Sequence, residues 1–75
     1  MIDIGNKYIH VEESGQSHGK PSYELINTKS KSTLGEIEYY PPWRCYVFQP
    51  MDYTEYNAGC LEAIAKFIKA PSLYK

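Results

Sequence analysis

The segment from Asn57 to Ala70 carries the one helical periodicity in this chain, and that limits the fold more than any other feature. Asn57 stands where an N-cap accepts hydrogen bonds from amides of the first turn. Leu61, Ile64, Ala65 and Ile68 then recur at i, i+3, i+4 and i+7, with Cys60 and Phe67 widening the apolar stripe. Tyr56 ahead of the cap and Leu61 are placed for a hydrophobic staple. Glu62 and Lys66 have the spacing of a favourable ion pair on the wet side. Pro71 cannot continue the ladder, so the pattern predicts a helix over 58–70 and a short tail over 71–75. A lone amphipathic helix must lay its stripe on another element, and everything before it reads as strands.

Residues 7–12 alternate, with Ile9 and Val11 on one side and Tyr8, His10 and Glu12 on the other. The run 14–21 holds two glycines, a proline and no apolar side chain, which predicts a mobile loop. A second strand over 22–28 carries Tyr23, Leu25 and Ile26. The polar turn after it is too short for a crossover helix, so the next strand, over 34–40, is an antiparallel neighbour. There Gly35, Ile37 and Tyr39 share one face, and Leu34, Glu36, Glu38 and Tyr40 the other. Pro41 and Pro42 stop that ladder because neither has an amide N–H. A fourth strand over 44–49 closes at Pro50. The expected fold is therefore α+β in a single domain, 1–75. It is a four-stranded antiparallel meander sheet with one C-terminal helix packed on one face (β-β-β-β-α). Ile9, Val11, Ile37 and Tyr39 line the helix side. The fourth strand turns either Tyr46 and Phe48 or Cys45 and Val47 inward, and the aromatic pair is preferred because it buries more area. The other face would keep Leu34, Tyr8, Tyr40 and either Val47 or Phe48. One helix cannot cover both faces, and that apolar surplus is the main functional hint in the pattern.

A chain of 75 residues buries only a small core. Eight Lys+Arg against nine Asp+Glu give no general attraction to nucleic acid or to an anionic membrane. The N-terminus has no basic region leading into an apolar stretch, and no apolar run approaches the roughly 20 residues that span a bilayer. The expectation is a cytoplasmic, non-membrane protein with reduced cysteines. Buried thiols are favoured for Cys45 and Cys60 over a cross-link. His10, His18, Cys45 and Cys60 show no C-x-x-C or H-x-x-x-H spacing, so no metal site is expected. Gly15 and Gly19 lack the ending of a phosphate loop, so no cofactor is expected. Cys60 in the first helical turn could pair with His10 as nucleophile and base, the basis of a cysteine-dependent enzyme. Its place in the apolar stripe argues for a small core hydrophobe instead, and the expectation is no enzyme. Glu36 and Glu38 read as a solvated strand face rather than a catalytic pair.

The densest feature is the run Tyr39-Tyr40-Pro41-Pro42-Trp43-Arg44-Cys45-Tyr46-Val47-Phe48. Its plainest reading is a hairpin with its rings in the core and Arg44 stacked on Trp43 or paired with a carboxylate. Its functional reading is a contact surface built on Tyr40, Trp43 and Arg44, residue types that dominate interface energetics. A protein partner, either a host protein or a second copy in a homodimer, ranks ahead of single-stranded DNA or RNA. Strand binding needs an electropositive groove, whereas Lys20, Lys29, Lys31, Lys66 and Lys69 are scattered and Glu36 and Glu38 oppose phosphate.

The run from Leu34 to Pro50, followed by Asn57 to Ile68, resembles a family of small phage and prophage proteins. Their pattern is L-G-x-I-x-W-Y-x-x-W-R-x-Y-x-F-x-P and then a capped helix with C-L-x-x-I-x-x-F-I. The likeness runs from Leu34 to Ile68, and Tyr39 replaces the usual Trp. The family supplies no catalytic residues to carry over. The resemblance implies origin in a mobile element and action inside a bacterium, where such small proteins often bind and redirect a host protein.

Overall fold

The computed structural model describes residues 1–74 and has the expected architecture. Four antiparallel strands pair in sequence order: β1 (Ile9–Ser17), β2 (Lys20–Asn27), β3 (Thr33–Tyr40) and β4 (Cys45–Pro50). A single helix, α1 (Ala58–Lys69), follows and packs on one face. A 3-10 turn over Pro41–Trp43 joins β3 to β4, and another over Pro71–Tyr74 follows α1.

The run 14–21 is not a mobile loop. β1 and β2 continue through it as a hairpin closed by His18 and Gly19, with φ of 55° and 74°. Two successive positive φ values give a turn whose twist matches the flanking strands, which suits Gly and tolerates His. A bulge at Gly15 resets the register between Glu13 and Gly15. The lack of apolar side chains marked exposure there, not loss of pairing. The turn after β2 is tied down by Asn27, whose Oδ1 accepts from the amides of Lys29 and Ser30, both at 3.0 Å.

The core lies between the sheet and α1. Ile9, Val11, Tyr23, Leu25 and Ile37 from the sheet meet Cys60, Ala63, Ile64 and Phe67 from the helix. The buried stripe is thus Cys60, Ala63, Ile64 and Phe67, while Leu61 and Ala65 of the expected stripe stay exposed. Phe67 decides this rotation: it is fully buried, edge-on to Tyr23 at 5.0 Å. Burying such a ring stabilises by about 1.5–3 kcal/mol. Leu61 stays 52% exposed and forms no staple. Tyr56 instead packs on Phe48 at 5.5 Å and donates its hydroxyl to the Leu34 carbonyl at 3.1 Å. Asn57 caps α1 as expected, its Oδ1 accepting from the Cys60 amide at 2.8 Å. The Glu62–Lys66 ion pair does not form; among the described residues no Lys or Arg is paired with a carboxylate, and the one contact of this kind is the His10 imidazole 3.3 Å from Glu12.

β4 turns Tyr46 and Phe48 toward the core, as preferred from their area. Tyr39 lies on the same side, half-buried and edge-on to Tyr46 at 5.8 Å. The residues 71–74 are not a free tail either: Tyr74 packs on Phe67 at 5.1 Å, while Lys75 lies outside the described residues. The segment before β1 adds Ile2, bridged to Val11, and buried Ile4 to the same core. No described helix is long and apolar enough to cross a membrane.

Candidate functional site

The strand register defines the face that α1 leaves open. Residues opposite one another share a face, so His10, Glu12, Glu24, Ile26, Glu36, Glu38, Tyr40, Cys45, Val47 and Gln49 project away from the helix. This face is not the broad apolar surface expected. Glu12, Glu24, Glu36 and Gln49 stand in one cross-strand row, and Glu38 is the next residue along β3 on that face. Leu34 left this face because the register shifts between Leu25 and Ile26, which turns it against the core. Tyr8 lies before β1, with the Lys7 ammonium 5.1 Å from its ring centre. The apolar surplus contracts to one corner, and that corner is where the sequence placed its contact residues.

Tyr40 ends β3, and the two prolines after it force a tight 3-10 turn. Arg44 closes the turn, its amide donating to the Pro41 carbonyl at 3.1 Å with φ 54° and ψ 39°. This left-handed geometry costs a residue with a Cβ about 1–2 kcal/mol. The turn throws Trp43 outward. It is 71% exposed and meets Tyr40 edge-on at 5.1 Å between ring centres. The two rings, with Val47 and Gln49, line a shallow hollow of about 300 Å³. Arg44, the residue after Trp43, is exposed and has no ion-pair or ring partner among the described residues. The plain reading of this segment, rings buried and Arg44 satisfied, therefore holds for Tyr46 and Phe48 but not for Tyr40, Trp43 and Arg44.

Two lining residues escaped the sequence reading as site members. Val47 and Gln49 join the hollow only because Tyr46 and Phe48 point the other way; once that choice is made, period-two alternation brings them to it. Glu38 lies directly opposite Val47, and Glu36 opposite Gln49, so two carboxylates border the hollow on its inner side. Glu36 is held above the usual carboxylate range. The cause is first its neighbour Glu38, which accepts from the protonated form and repels the ionised one, then burial and Glu24.

The other reactive side chains do not converge. Cys60 is buried on the helix side, whereas His10 lies on the opposite face, bonded to Thr28 Oγ1 at 3.0 Å and Glu12 at 3.3 Å. The sheet separates them. Cys45 is exposed rather than buried, because it shares the outer face with Tyr40. Among the described residues no three His, Cys, Asp or Glu side chains are grouped as metal ligands. A second cleft, of about 620 Å³, runs past Tyr8, Tyr53 and Tyr56 to Cys60 at the start of α1. Several of its polar side chains are already engaged in the fold: Asn27 holds a turn, Asn57 caps α1 and Thr54 donates to the Met51 carbonyl at 2.9 Å.

Comparison with protein-family models, with curated proteins and with solved structures finds no match to this chain.

Proposed function

We propose that this chain is a small non-enzymatic protein-binding module of phage or mobile-element origin that acts on a host protein in the bacterial cytoplasm. The observation that carries the reading is an indole 71% exposed, edge-on to Tyr40, beside an unpaired Arg44. Large rings that could have been folded inward stay in water at one corner, beside a cation with nothing to bind. Contact energy concentrates on Trp, Tyr and Arg in such clusters, provided that docking excludes water. The origin rests on the hairpin-and-helix pattern from Leu34 onward. Single-stranded nucleic acid fits the corner poorly, since Glu36 and Glu38 border it and repel phosphate.

Affinity capture from bacterial lysate tests the reading with the tagged protein, Trp43→Ala and Arg44→Gly. Glycine adopts the backbone conformation of residue 44 without strain, so that variant removes the cation and keeps the turn. Proteins retained by the parent chain are expected to be lost with both variants. Thermal stability is expected to change by no more than about 0.5 kcal/mol for Trp43→Ala, as for other exposed positions. A Trp43→Ala protein that melts, or that captures the same set, removes the corner as the docking site.

A further inference from the structure

The chemistry of the occupant can be taken further, on the premise that the corner is a docking site. We propose that the hollow formed by Tyr40, Trp43, Val47 and Gln49 receives a Lys or Arg side chain from an extended basic segment of the partner protein.

Two features of the hollow select a cation. Two aromatic rings, Tyr40 and Trp43, line it, and an indole face is the best side-chain surface for a guanidinium or ammonium group. The strand beside it is anionic. Glu38 stands opposite Val47 in the β3–β4 ladder, which brings the two Cβ atoms within about 4.5–5.5 Å. A side chain lying over Val47 therefore reaches the Glu38 carboxylate while its stem covers the valine, the arrangement that long basic side chains favour. No Lys or Arg of this chain takes that place: among the described residues neither Glu36 nor Glu38 has an ion-pair partner. The row continues through Glu36, Glu24 and Glu12. At strand spacing these three carboxylates span about 10 Å, room for more than one basic residue of the same segment. Arg44, exposed and next to Trp43 in the chain, is free to donate to backbone carbonyls of that segment.

Charge also decides against a second copy as the occupant. A two-fold contact through this face would set one carboxylate row against another, and like charges brought together oppose association. Nucleic acid meets the same repulsion.

The test uses the full chain and a fluorescein-labelled short peptide alternating Arg and Ser, followed by anisotropy. Trp43 is the chain's single tryptophan, so its emission reports occupancy of the hollow directly. Binding is expected to shift that emission and to weaken about five- to tenfold in Trp43→Ala, the scale of a partly desolvated cation–ring contact. Glu38→Gln is expected to weaken it about threefold, and salt at about 0.5 M to weaken it further. Glu13→Gln is the control, because Glu13 pairs with Tyr23 on the other face and its loss should leave affinity unchanged. Binding that is equal in the parent, Trp43→Ala and Glu38→Gln, or absent, overturns the proposal. So does preferential binding of an oligothymidylate or of the matching Glu-Ser peptide, or sedimentation as a dimer that Trp43→Ala dissolves. If lysate capture still depends on Trp43 while the basic peptide fails, the docking site stands and only its basic occupant falls.

Discussion

Tyr46 ties together strands that do not pair with each other. It sits on β4, yet its hydroxyl donates to the Pro21 carbonyl of β2 at 2.8 Å, and its ring lies edge-on to Tyr23 at 6.0 Å. Tyr46→Phe keeps the ring and removes the bond. It is expected to cost about 0.5–1.5 kcal/mol in urea unfolding at neutral pH, the usual net worth of one hydrogen bond. The same residue matters in alkali. Burial raises the phenols of Tyr23 and Tyr46 above the ordinary 10.0, with Glu13 adding to both and Tyr23 adding to Tyr46. Groups raised in the fold contribute stability that is complete below their unfolded value and is lost as pH rises through the folded one. Tyr46→Phe should therefore blunt the alkaline loss of stability; an unchanged alkaline profile would show that Tyr46 ionises freely in the fold. Trp43, by contrast, is largely exposed, so on the proposed reading residue 43 is where binding and stability separate.

The β3–β4 hairpin is shaped by the absence of one side chain. A Cβ on Gly35 would lie 2.6 Å from the Gln49 carbonyl oxygen and 2.7 Å from the Phe48 ring. Phe48 occupies the space over Gly35, and this holds it inward, which in turn sends Val47 and Gln49 to the opposite face. Gly35→Ala is expected to destabilise by about 1–3 kcal/mol, as overpacking does. Guanidinium denaturation checks the effect, and a variant as stable as the parent would mean that Phe48 has a second place to go. Much of this element level was legible beforehand. Four strands, their antiparallel order and the capped helix follow from alternation, the two prolines and Asn57. The hairpin closed by His18 and Gly19 was not, because polar strands without apolar alternation look like loops until pairing partners are known. The expected helix stripe held Cys60, Ile64 and Phe67 but also Leu61 and Ala65, which stay exposed while Ala63 is buried, because Leu61 and Cys60 fit the same periodicity and only packing, with Phe67 edge-on to Tyr23, selects between them.

At the scale of the whole molecule the two sides of the sheet differ in kind, apolar beneath α1 and acidic opposite. The acidic side is a cost to the fold. Glu36 stands between Glu24 across one ladder and Glu38 along its own strand, and its carboxyl is accordingly raised. The ionised form is thus penalised in the native state, so stability is greatest while Glu36 is protonated and declines as pH rises through its folded value. Glu36→Gln should gain about 0.2–1 kcal/mol at neutral pH, the scale of like charges facing across strands. The gain should vanish near about pH 3, where carboxylates are protonated. Melting curves at the two pH values measure it; a gain that persists in acid would mean the benefit is not electrostatic. Carboxylates that weaken the fold, beside exposed rings, are consistent with a face shaped for a partner.

Local order in this chain was written in its residues. Period-two alternation, an N-cap, two prolines and one apolar stripe suffice to specify four strands, one helix and one buried face, because each is a short-range or single-face property. The composition of the open face was decided only in three dimensions. Cross-strand register lined up Glu12, Glu24 and Glu36, a bulge withdrew Leu34, and the close approach of Phe48 to Gly35 turned Val47 toward Tyr40 and Trp43. Such neighbours are far apart along the chain, and only pairing brings them within reach of one another.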